Sequence, residues 1–93
     1  MGEIQTGYVS ALQIYQIMMW LESGYKINPI NGYVPKKEKK YIIEHFSLEY
    51  SKEKRRYTNT HKHVFEIFKN DYPNVIESNK ITSYTQLLSI ATR

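Results

Sequence analysis

No cysteine occurs in the 93 residues. That excludes disulfides, Cys-ligated zinc, iron–sulfur clusters and a cysteine nucleophile. Small secreted domains commonly need disulfide staples. With none, and with no signal-peptide pattern, the expected location is cytoplasmic, or the host cytoplasm if the source is viral. Glycine is also scarce, with four in the chain. None falls in a G-x-x-x-x-G-K-[ST] or G-x-G-x-x-G string, so no glycine-rich phosphate loop is expected. A long apolar run is missing as well. The uncharged stretch 4–21 comes nearest, but it contains Gln5, Thr6, Gly7, Ser10, Gln13 and Gln16. That is too polar for a spanning helix, so a buried core helix is expected and no membrane contact.

Apolar residues make up 41% of the chain and aromatic residues 14%, enough for a modest core and too much for a disordered chain. Residues 1–93 are expected to form a single helical domain, with 1–9 as a partly ordered arm. Nine tyrosines carry most of the aromatic content. Lys, Ile, Asn and Tyr are abundant, and AT-rich codons encode all four. A low-GC bacterium, phage or other virus is the expected source.

The periodicity predicts an all-α fold, a small bundle of about four helices. Ser10 and Gln13 form an S-x-x-Q capping box, with Val9 and Ile14 at the spacing of a hydrophobic staple. Ala11, Ile14, Ile17, Met18 and Leu21 then follow a helical stripe, with Leu12, Tyr15 and Met19 beside it. Gly24 is placed to end this helix. Asn28-Pro29 and Asn31-Gly32 signal turns, and a short β-hairpin over 25–35 is one reading of that stretch. The second helix is expected from Pro35 or Lys36 to about Arg56, with Ile42, Ile43, Phe46 and Tyr50 on its core face. The third begins near Thr60, carries His61, Val64, Phe65, Phe68 and Tyr72 on one face at helical spacing, and stops at Pro73. Residues 73–82 read as a loop or a short helical turn. Ser83 and Gln86 form a second S-x-x-Q box and open the fourth helix.

Charge is the functional clue. The formal net charge is +4. Ten of the 13 Lys/Arg and five of the 9 Asp/Glu fall between residues 36 and 69. The cations form two clusters, Lys36, Lys37, Lys39, Lys40 and then Lys52, Lys54, Arg55, Arg56. A basic patch is the usual footprint of a polyanion. The second cluster would sit at the C-terminal end of helix two, where the dipole welcomes cations. The first would sit at its N-terminal end, where the dipole disfavours them, so local stability does not account for it. Tyr57, close to the second cluster, is a candidate for stacking on a base, and Lys62 extends the basic region. A helix-turn-helix over 60–92 is a further docking mode, with Thr85, Gln86, Ser89 and Arg93 on the reading face.

Catalytic signals are weak. His61 and His63 would share a face on a strand but not on a helix, and the local pattern is helical. His45 follows Glu44, and no carboxylate pair is implied by spacing. No enzyme activity, no metal and no cofactor is expected. The first expectation is therefore a small, basic, non-enzymatic nucleic-acid-binding or regulatory protein, its partner being DNA, RNA or an acidic protein surface. The alternative is a protein-interaction module: an oligomer subunit, such as a homodimer through helix 10–23, or a phage-type inhibitor of a host protein. Tyr15, Met19 and Trp20 would be its interface anchors.

Overall fold

The computed structural model describes residues 9–24 and 34–92. The element order is α1 (Ala11–Glu22), α2 (Lys36–His45), β1 (Tyr50–Ser51), β2 (Arg56–Tyr57), α3 (His61–Asp71), α4 (Pro73–Ser78) and α5 (Tyr84–Ala91). Among the described residues the fold is mostly helical with one short antiparallel hairpin, close to the expected bundle. The expected arm at 1–9 lies largely outside the described residues, and the 25–35 hairpin falls on 25–33, also outside them.

Caps and stripes account for α1. The Ser10 hydroxyl accepts a hydrogen bond from the Gln13 amide at 3.1 Å, and Val9 and Ile14 are both buried. Ala11, Ile14, Ile17, Met18, Trp20 and Leu21 are buried, a band wide enough to pack against both α2 and α5. Gly24 ends the helix with φ +73° and its amide donates to the Leu21 carbonyl. No described helix is long and apolar enough to cross a membrane.

The second helix is shorter than its sequence suggested. It stops at His45 rather than near Arg56. Ser47 takes a left-handed conformation, φ +51°, while its amide donates to the Glu44 carbonyl and the Leu48 amide to the Ile43 carbonyl. That pair of bonds is the Schellman cap, which normally uses glycine. Residues 50–57, expected to be helical, form a hairpin instead, with Tyr50 opposite Tyr57 and Ser51 opposite Arg56. Tyr50, assigned to the helix core face, is 56% exposed on the first strand.

α3 starts as expected, with the Thr60 hydroxyl accepting from the His63 amide. It buries Val64, Phe65 and Phe68. Pro73 both stops α3 and opens α4, where its missing N–H leaves no intrahelical bond unmade. Lys80 (φ +54°) closes α4 with a second Schellman pair, Lys80 N–H to Glu77 and Ile81 N–H to Ile76. Ser83 caps α5, accepting from the Gln86 amide at 3.2 Å. The Tyr84 hydroxyl donates to Gln13 Oε1 at 3.0 Å, tying the start of α5 to α1. Buried side chains of all five helices, together with Val9, Phe46, Leu48, Tyr57 and Ile81, make one apolar cluster.

Candidate nucleic-acid interface

The first basic cluster occupies the opening turns of α2. Pro35 is its N-cap and supplies no side-chain hydrogen bond. Lys36, Lys37, Lys39 and Lys40 are all exposed, and Glu38 is the one acidic residue in the first turn. Lys36, Lys39 and Lys40 share a helix face with Ile43, and with Glu44 they line a shallow groove of about 290 Å³. Among the described residues, none of the four lysines forms an ion pair.

The second cluster is on a different kind of element. Lys52, Lys54 and Arg55 lie in the turn between the strands, and Arg56 opens the second strand. They are not at the C-terminal end of a helix, so the expected dipole compensation does not apply to them. The turn is closed by the Arg55 amide donating to the Ser51 carbonyl at 2.7 Å and the Lys54 amide donating to the Ser51 hydroxyl. The Arg56 Nε–H reaches back to the Lys54 carbonyl at 3.4 Å. Arg55 has φ +58°.

Side chains staple this hairpin to the end of α2. Asn59 Oδ1 accepts from the Glu49 amide, and Asn59 Nδ2 donates to the Ser47 carbonyl. The Thr58 amide and hydroxyl both donate to the Glu49 carbonyl. His63 Nε2 lies 3.0 Å from the Phe46 carbonyl oxygen. The two clusters therefore belong to opposite ends of a short helix. The lysines sit at the start of its ten residues, about 15 Å of rise, and the hairpin hangs beyond its end.

The aromatic assignment changes. Tyr57 is buried, 9% exposed, so its face is not available to a base. Burial, and secondarily Tyr50, pushes its phenol pKa up. Tyr50 is the exposed member of the pair, its ring 5.3 Å from that of Tyr57 and edge-on to it. Sequence reasoning missed Tyr50 because Ile42, Ile43, Phe46 and Tyr50 fit one helical stripe. Tyr41 is also exposed, and its ring stacks on His45 at 5.3 Å.

Lys62 lies on α3, on neither of the elements that carry the two clusters. With Lys69 it edges a groove of about 460 Å³ between α3 and the start of α5, which Phe65 and Tyr84 also line. The spacing from Lys62 to Lys69, two helical turns, was the signal available for the second cation. The helix-turn-helix reading loses its main polar reader. Gln86 Oε1 accepts from the amide and hydroxyl of Thr82, and its Nε2 donates to the Lys80 carbonyl at 3.4 Å. Thr85 and Ser89 remain exposed on that face.

The three histidines have local structural partners. His61 packs on the Tyr84 ring, His63 meets Phe46, and His45 Nε2 lies 2.6 Å from Asp71 Oδ2, joining the ends of α2 and α3. Among the described residues, no group of three His, Cys, Asp or Glu could hold a metal ion. Of the proposed protein-interface anchors, Trp20 is only 7% exposed and belongs to the core, because α1 packs on two neighbours rather than one. Tyr15 and Met19 are half-buried. No protein-family model, no curated protein and no solved structure matches this chain.

Proposed function

We propose that this protein is a small, non-enzymatic nucleic-acid-binding protein. It holds phosphates through Lys36, Lys37, Lys39 and Lys40, and the cations of the hairpin provide a second point of contact. The observation that carries this reading is the placement of the four lysines. They are exposed, unpaired within the described residues, and crowded at the helix end where the dipole opposes them by a few tenths of a kcal/mol each. An anionic ligand there is attracted both by the lysines and by the helix N-terminus, which offsets that cost.

The test is fluorescence anisotropy with labelled DNA at about 50 and 200 mM salt. Wild-type protein should bind and weaken steeply with salt. Replacing Lys36, Lys37, Lys39 and Lys40 together by Gln should weaken binding broadly and reduce the slope of log affinity against log salt by about three to four. Absence of binding at the lower salt would overturn the reading, and an unchanged slope would remove this cluster from it.

A further inference from the structure

The geometry points to the 50–57 hairpin as a single-strand-binding arm, in which Tyr50 stacks on an unpaired base while Lys52 and Arg55 hold the flanking phosphates. This inference rests on the nucleic-acid reading above and names the form of the ligand.

Three observations on one short element carry it. Tyr50 is 56% exposed, although its cross-strand partner Tyr57 is buried in the core. The Tyr57 ring meets it edge-on at 5.3 Å, bracing Tyr50 while leaving more than half of it to solvent. A large aromatic exposed in this way gains little from the protein's own core. Next, the turn beside it presents Lys52, Lys54, Arg55 and Arg56 against a single carboxylate, Glu53. Cations next to an open aromatic face suit a ligand that alternates phosphates with flat bases. The faces of paired bases are hidden in a duplex, so the exposed ring favours an unpaired strand.

The third observation concerns the backbone. Arg55 occupies the left-handed region at φ +58°, where its Cβ crowds the following carbonyl and where glycine or asparagine is the usual occupant. The turn would form more readily with glycine there. A guanidinium stands at a position where the backbone disfavours it, and a role for its charge accounts for its presence there. It also supplies a clean test, because Arg55→Gly removes the cation while relieving the strain.

The probes are a labelled oligothymidine of about twelve nucleotides and a duplex of the same length, titrated by anisotropy at low salt. Arg55→Gly should melt at or above the wild-type temperature yet bind the single strand several-fold more weakly. Tyr50→Leu should weaken single-strand binding by about tenfold, and Tyr50→Phe, which keeps the ring, should stay within about twofold of wild type. Wild type should prefer the single strand. Equal or tighter duplex binding would overturn the single-strand assignment. Wild-type binding that neither Arg55→Gly nor Tyr50→Leu alters would overturn the hairpin assignment and leave the α2 lysines standing. Failure of wild type to bind either probe would overturn both readings together.

Discussion

In the scaffold of α1, α3 and α5, fully buried side chains succeed one another at helical spacing: Ile14 and Ile17, then Val64 and Phe68, then Leu87 and Ala91. In the arm from Phe46 to Thr60 only Phe46, Leu48 and Tyr57 are buried, and order comes from side-chain bonds of Asn59 and Thr58 to the backbone. The scaffold is held by area removed from water, which is non-directional and cooperative. The arm is held by hydrogen bonds that each contribute about 1 kcal/mol, and several are solvent-exposed. The arm carries the whole of the second cationic cluster and the exposed Tyr50. A region fastened in this way can open locally without unfolding the rest.

The largest effect should come from the scaffold. Phe68 is fully buried on α3, its ring 4.9 Å from that of Phe46. Phe68→Ala should cost about 3–5 kcal/mol and lower Tm by roughly 12 °C or more, as read by circular dichroism. Removing this ring also removes the contact that anchors Phe46, so in that variant the arm should loosen before the scaffold melts. A melt in which the arm's amides stay protected until the helix signal is lost would show that the arm does not depend on this contact.

Alkaline pH gives a second probe of the scaffold. Burial pushes the Tyr84 phenol well above its ordinary value of 10.0. In the unfolded chain it ionises near 10, whereas in the fold it stays protonated. The unfolded state then holds fewer protons, so stability is intact below pH 10 and declines as pH rises beyond it, by up to about 1.4 kcal/mol per pH unit for this one group. Tyr84→Phe should lose about 1 kcal/mol at neutral pH, through the bond to Gln13, and show a shallower alkaline decline. Tyr57 and Tyr72, also shifted upward by burial, should keep part of the decline in place. An alkaline limb unchanged in Tyr84→Phe would assign it to Tyr57 and Tyr72 instead.

The same contrast decides what was legible in the sequence. The starts of α1, α3 and α5 could be read from Ser10, Thr60 and Ser83, because a capping hydroxyl is a side-chain signal at a fixed offset. The end of α1 could be read from Gly24. The end of α2 could not, because its left-handed cap is Ser47, and a serine there leaves no mark that distinguishes it from a helical serine. Missing that stop carried the helical period through Tyr50, which placed an exposed strand residue in the core and made Tyr57 the stacking candidate beside the second cluster. The clusters themselves were legible as charge, since Lys36 to Lys40 and Lys52 to Arg56 need only counting. Which element presents them depended on one backbone angle.

Local changes in the arm should be smaller and confined to it. Asn59→Ala removes both the bond accepted from Glu49 N–H and the bond donated to the Ser47 carbonyl. Since these are exposed, water replaces part of each, and the expected cost is about 1 kcal/mol. Hydrogen exchange should quicken at the hairpin amides of Arg55 and Thr58, while those of α1 and α5 keep their protection. A uniform rise across all elements would mean that the arm is an integral part of the cooperative core.

The smallest effect should come from Ser47, and it should be favourable. At φ +51° the serine Cβ is strained against the backbone, and glycine relieves that strain at the expense of a more disordered unfolded chain. Ser47→Gly is expected to stabilise by about 0.5 kcal/mol, a rise in Tm of about 2–4 °C. The direction matters more than the size. If α2 ends in a left-handed cap, glycine helps. If the helix instead ran on toward Arg56, as its periodicity alone suggests, glycine would sit in a helix interior and cost about 1 kcal/mol relative to alanine. The sign of one small shift in Tm therefore tests whether the second basic cluster is presented by a hairpin or by a helix.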